Sequence, residues 1–282
     1  LKVLDKMLSG DYDVVVLSAE ASMQLTVPPA MLMNSSFAIE SGEDYDSDEL
    51  IMNLIKCGYT RSEQVDGPGQ FALRGGILDF FPPDSKQPCR VEFWGDSVDS
   101  IAFFDPETQR REDTADQIRI TPAREILCTD ELLTALIEKH IEEKKIKGNA
   151  LKLLNEDLDG IKSGVRLSSL DKYLPLIYPQ SASIFDYAKD CMLFVCESFA
   201  VKEKFDASCK LMNETVKGLF QDGVLCKGLD KYSLQLFNLF DYYEKCGAVY
   251  LDNLPRGSFD TPVKELVSIN ARQTSRWDGT LS

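Results

Sequence analysis

A chain of 282 residues has room for one large domain or two to three small ones, and 44% of its side chains are apolar, ample for a core. Its net charge of −15 argues against a duplex nucleic acid covering the whole surface, because that affinity rests largely on neutralising phosphates with Lys and Arg. No apolar run reaches the roughly 20 residues that span a bilayer and no signal peptide opens the chain, so a cytoplasmic protein without membrane contact is expected.

Residues 1–9 place Leu1, Val3, Leu4, Met7 and Leu8 at helical spacing before Gly10. Residues 14–18 (VVVLS) are short, continuous and β-branched, the pattern of a strand buried on both faces of a parallel sheet. Residues 19–25 read as a short helix ahead of Pro28-Pro29, and residues 37–39 as a strand. Six acidic residues follow within 40–49. They read as a solvated loop, with a cation site as the alternative. The loop runs into a helix start with Asp46 as N-cap, Glu49 as its capping-box partner and Leu50, Ile51, Leu54 and Ile55 as the apolar stripe.

Residues 58–111 carry the densest strand-and-turn signal. Apolar runs at 77–81, 91–94 and 98–104 are cut by Gly67-Pro68-Gly69, Gly75-Gly76, Pro82-Pro83-Asp84, Gly95-Asp96 and Asp105-Pro106. Strands joined by loops this short pair antiparallel, since a parallel crossover needs a dozen or more residues. A β-meander is predicted, closing at 118–121. Arg61, Arg74, Arg90, Arg110 and Arg111 make it rich in arginine for an acidic protein.

From Thr129 the pattern turns helical: 130–147 with a stop at Gly148, then 149–162. Strand patterns at 192–195, 248–251 and 266–269 alternate with helices at 198–220 and 229–246, the signature of a parallel sheet. With residues 14–18, these strands predict an α/β domain of P-loop-like type, interrupted by a β-rich insert. The divisions are 1–35 as part of the α/β domain, 36–126 as the insert, and 127–282 as a helical connection and the rest of the α/β domain. An opening at Leu1 and an end at Ser282 with no helix stop are expected of a piece of a longer protein.

The insert also carries a resemblance. RGGILDFFPP at 74–83, CRVEFWGDSVDSIAFFD at 89–105 and TQR at 108–110 resemble the UvrB-homology module of bacterial transcription-repair coupling factors (Mfd). UvrB itself is similar, with an arginine-glycine pair, a strand ending in Phe-Pro and a V-E-F-F-G-D hairpin. YLPLIY at 173–178 and IFDY at 184–187 resemble further family elements. The resemblance implies a degenerate helicase-like first domain split around a domain that docks on the repair protein UvrA. It implies no cofactor in this stretch, with ATP and Mg held by motor domains further along. It also implies RNA polymerase and double-stranded DNA as partners of the whole protein. Arg61 and Arg74 match family arginines, and Phe71 would add apolar contact beside Arg74. UvrB has an arginine where this chain has Ala72, a departure that removes one charge.

Catalytic chemistry finds little to stand on. No G-x-x-x-x-G-K-[ST] occurs, and Gly160-Ile-Lys-Ser-Gly164 lacks both its spacing and a preceding strand. The eight cysteines are scattered with no C-x-x-C pair, as free thiols of a reducing compartment would be. The one histidine, His140, lies in a charged helical stretch and reads as a surface residue. Asp96 and Asp99 read as a hairpin turn and its solvent face. Three functions compete: a docking module using the arginines of the meander, a nucleic-acid-binding domain stacking bases on Phe71, Phe80, Phe81 and Trp94, and a nucleotide hydrolase. The first is expected, with no catalysis in this stretch.

Overall fold

The structure is a computed structural model, described here for residues 1–165, 167–254 and 259–269. Its first helix, α1 (Lys2–Ser9), buries Met7 and ends at Gly10 in the left-handed region. Helix α2 (Ala19–Met23) starts at Ser18, whose hydroxyl accepts from the Ala21 N–H, and α3 (Pro29–Asn34) opens on a proline. Residues 14–18 do not form the predicted strand: Val14 and Val16 are 77% and 90% exposed. β-Branched composition makes a strand only where a neighbouring edge offers hydrogen bonds, and among the described residues no strand pairs with this segment.

The insert opens with β1 (Phe37–Glu40) and α4 (Ser47–Lys56), where Asp46 is the predicted N-cap, its carboxylate accepting from the N–H groups of Asp48 and Glu49, while the expected return bond from Asp46 N–H to the Glu49 carboxylate does not form. Next come β2 (Thr60–Arg61), β3 (Gln70–Arg74), β4 (Ile77–Phe80), β5 (Cys89–Trp94), β6 (Ser97–Phe104), β7 (Arg111–Ala115) and β8 (Gln117–Ile120). Strands β2 to β7 lie side by side in sequence order. The meander is antiparallel from β3 to β7, while β2 joins its edge in parallel. Strands β1 and β8 form a separate antiparallel pair. Leu50 and Leu54 of α4 pack on Phe71, Leu78, Phe80, Val91 and Ile101 from one face of the sheet. The two ends of the insert are stitched together. The Tyr59 hydroxyl donates to the Thr121 carbonyl at 2.8 Å, and Arg124 Nε donates to the Gly58 carbonyl at 3.0 Å.

The remainder comprises α5 (Asp130–Lys144), α6 (Gly148–Lys162), α7 (Leu174–Ile177), β9 (Leu193–Cys196), α8 (Ser198–Gln221), α9 (Leu236–Cys246) and β10 (Ala248–Leu251). Helix α5 ends at Lys145 in the left-handed region, so Gly148 opens α6 instead of stopping α5. His140 is buried, contrary to expectation, because α5 turns it toward the 226–228 turn, where its Nε2 lies 3.7 Å from Cys226 Sγ. The helix predicted over 229–246 begins only at Leu236. Residues 232–234 are held against the first segment, Leu25 N–H donating to the Tyr232 carbonyl and Leu234 N–H to the Met23 carbonyl.

Strands β9 and β10 pair in parallel, as expected, but residues 266–269 are exposed and irregular. Among the described residues the parallel sheet therefore has two strands, and the architecture is a mixed α/β one with antiparallel and parallel sheets. The chain before the insert packs with the chain after it. Met7, Val27 and Leu32 share a core with Leu174, Tyr178 and Tyr187, and Met23 packs with Phe185, Phe205 and Leu239. The Tyr187 hydroxyl donates to the Val27 carbonyl at 2.6 Å.

Candidate partner-docking surface

Alternation along the strands sorts the meander into two faces. Phe71 and Leu73 of β3, Leu78 and Phe80 of β4, and Cys89 and Val91 of β5 point to the core under α4. Ala72, Arg74, Asp79, Arg90 and Glu92 point the other way. One end of this second face is roofed: Val65, from the loop after β2, packs on Ala72, Phe81 and Phe104, and the Gln109 amide donates to the Val65 carbonyl. The other end, nearest the turns after Arg74 and Trp94, is open.

Asp79 organises the open part. Its carboxylate is fully buried, and register sets Arg90 directly opposite on β5. Arg90 Nε meets Oδ1 at 2.7 Å and a second guanidinium nitrogen meets Oδ2 at 2.9 Å. Arg74 reaches Oδ2 from the other side at 2.6 Å. Donating to the Asp79 carboxylate raises the affinity of Arg90 for its proton, and the Arg90 guanidinium also lies 4.7 Å from the centre of the Phe104 ring. One carboxylate thus fixes two guanidinium groups, one nearly covered and one about half exposed. Beside them, Glu92 accepts from Ser100 Oγ at 2.8 Å and from Arg111 at 3.1 Å.

The three sequence-selected residues fall in different places. Arg74 stands on the open face with half its side chain in water. Arg61 is exposed on edge strand β2 with no ion pair to a described residue; its register with Phe71 puts it on the face opposite Arg74. Phe71 is fully buried in the sheet core, so it packs the domain and offers no contact to a partner. Strand alternation decides this, since a residue three positions from Arg74 on the same strand faces the other side. The base-stacking reading loses ground for the same reason. Phe71, Phe80 and Phe81 are buried, and of the four aromatics only Trp94 is exposed, at 85%. Asp79 was not singled out from sequence. Its signal was a charge inside the apolar run ILDFF, at a position whose alternate neighbours are Ile77 and Phe81.

Comparison with known proteins follows the same boundaries of geometry. The sequence profile of the UvrB interaction domain matches residues 37–126, the segment that holds β1 to β8. The chain is 27% identical, over its whole length, to a transcription-repair-coupling factor of Bacillus subtilis, of which it covers 25%. A second, of Myxococcus xanthus, is 33% identical over 64% of this chain, covering 15% of the relative. A third, of Haemophilus influenzae, is 29% identical over 69% of this chain and 17% of the relative. The chain spans a quarter or less of these relatives. Residues 37–126 thus match the UvrB interaction domain, and along its whole length the chain is similar to transcription-repair-coupling factors.

Proposed function

We propose that this chain is a docking module that recruits the excision-repair protein UvrA to sites where transcription has stalled. The observation that carries the reading is the open, arginine-bearing end of the meander, within the segment matched by the UvrB interaction domain. Arginine forks are suited to carboxylates and are enriched where protein interfaces concentrate their energy. Arg74 is pre-positioned by Asp79, so little side-chain entropy remains to be lost when a partner carboxylate arrives. Arg61 adds an exposed guanidinium at the sheet edge. The chain acts here by binding, without catalysis of its own. ATP-driven translocation on duplex DNA and contact with RNA polymerase belong to the rest of the protein in this reading.

The test is calorimetric titration of the chain against purified UvrA at moderate salt. Arg61→Glu is the informative variant, because no described ion pair of the fold depends on Arg61. It should weaken binding by about tenfold or more, some 1.4 kcal/mol, at unchanged melting temperature. Arg74→Ala should weaken it similarly. Arg74→Glu is the poorer choice, since it would set a carboxylate against buried Asp79. Wild-type chain that fails to bind UvrA at micromolar concentration would end the reading.

A further inference from the structure

The β5–β6 hairpin turns through Gly95 and Asp96, with Trp94 and Ser97 paired at its mouth. Trp94 is the most exposed large apolar side chain of residues 37–126. Its face follows from its neighbour. Phe93 packs against the core, and its N–H donates to the Gly76 carbonyl at 2.7 Å, so Trp94 alternates onto the face of Arg74, Arg90 and Glu92. The same hydrogen bond lays the Arg74-Gly75-Gly76 turn against the Trp94 strand. Gly76 leaves no room for a side chain there, because a Cβ would sit 2.9 Å from the Phe93 carbonyl oxygen. The indole and the Arg74 guanidinium are therefore held by two adjacent hairpin tips locked backbone to backbone.

The surroundings select the kind of partner. The acidic loop after β1 is fastened to this hairpin: Tyr45 N–H donates to the Asp96 carbonyl, Val98 N–H donates to the Glu43 carbonyl, and Asp44 bridges to Ser97. Asp99 stands exposed one residue past Val98. Acidic residues 43, 44, 96 and 99 thus lie on or against the hairpin that carries the indole and disfavour a phosphate backbone there, while Arg74, Arg90 and Arg111 lie further in along the face. A nucleic acid would have to cross the acidic rim to reach the indole. A protein patch with an apolar pocket beside carboxylates meets both features.

We infer that Trp94 is the apolar anchor of the docking surface, its indole entering an apolar pocket on UvrA next to the acidic groups that meet Arg74. The inference rests on the UvrA-docking reading above. Tryptophan and arginine are both enriched among interface hot spots, and an indole left in water keeps most of its apolar area available for burial on association.

The experiment compares Trp94→Ala, Trp94→Phe and Arg61→Glu with wild type, by calorimetric titration against purified UvrA and by mobility shift with labelled single-stranded DNA. Trp94→Ala should lose at least thirtyfold in affinity for UvrA with an unchanged melting curve, and Trp94→Phe should recover most of that loss. Wild-type affinity in Trp94→Ala, with Arg61→Glu impaired, would overturn the inference and leave the docking reading standing. A wild-type chain that ignores UvrA would remove both. A DNA shift abolished by Trp94→Ala alone, with UvrA binding intact, would assign the indole to nucleic acid and refute the inference.

Discussion

Asp79 is a carboxylate with no water and two guanidinium partners. Desolvating it is costly, and the cost is offset chiefly by the two-pronged, nearly covered Arg90 pair, with half-exposed Arg74 adding one further contact. Replacing Asp79 with Ala would leave Arg90, four-fifths covered, without its acceptor. The expected loss in unfolding free energy is about 3–5 kcal/mol, read from urea denaturation. Arg74→Ala should cost about 1 kcal/mol or less, since its guanidinium keeps half its surface in water. The contrast separates two roles of one ion cluster: Arg90 supports the fold, whereas Arg74 has a face left over for a partner. Of this cluster the sequence discloses Arg74, through the Arg-Gly-Gly turn that follows it. It does not disclose the Asp79 partnership, which depends on strands β4 and β5 meeting in one register out of several that their lengths allow.

The meander was legible because its information is local. Gly-Pro-Gly, Gly-Gly and Gly-Asp turns fix where strands reverse, and alternation then fixes the faces. The parallel strands were less legible, because a strand such as β9 exists only where distant β10 supplies its hydrogen bonds; residues 14–18 and 266–269 are similarly apolar and have no such neighbour among the described residues. His140 shows the same limit for helices. Charged neighbours on α5 suggested solvent, but the 226–228 turn covers the ring, and glycine is required at 228, where φ is +98° and a Cβ would sit 2.7 Å from the imidazole Cε1. Burial lowers the imidazole's affinity for a proton below its ordinary value near 6.5, with Lys144 adding to the effect. In the unfolded chain the imidazole takes up its proton first as the pH falls, so stability is full above about 6.5 and declines on acidification. Urea midpoints measured between pH 7.5 and 5.5 should fall for wild type and fall less steeply for His140→Gln. Equal slopes would remove His140 from the account.

The insert enters and leaves through one core. Segments 1–34 and 174–188 share buried side chains, and Tyr187 joins Val27 across 160 positions of sequence. Tyr187→Phe would leave the buried Val27 carbonyl without its donor, at a cost of about 1–3 kcal/mol. The urea transition should shift as a whole, because the cluster holds both flanks of the insert together; a change confined to the meander sheet would contradict that. The separation also has a consequence for how the molecule is made. Residues 1–34 leave the ribosome long before their packing partners exist. At roughly 5–20 residues per second, the wait across 160 positions is on the order of 8–32 s. The hairpins of residues 60–115 need only near neighbours and can close within that interval. The meander with its arginine face is therefore finished first, and Met7, Val27 and Leu32 spend those seconds uncovered, the interval in which a nascent chain has most need of a chaperone.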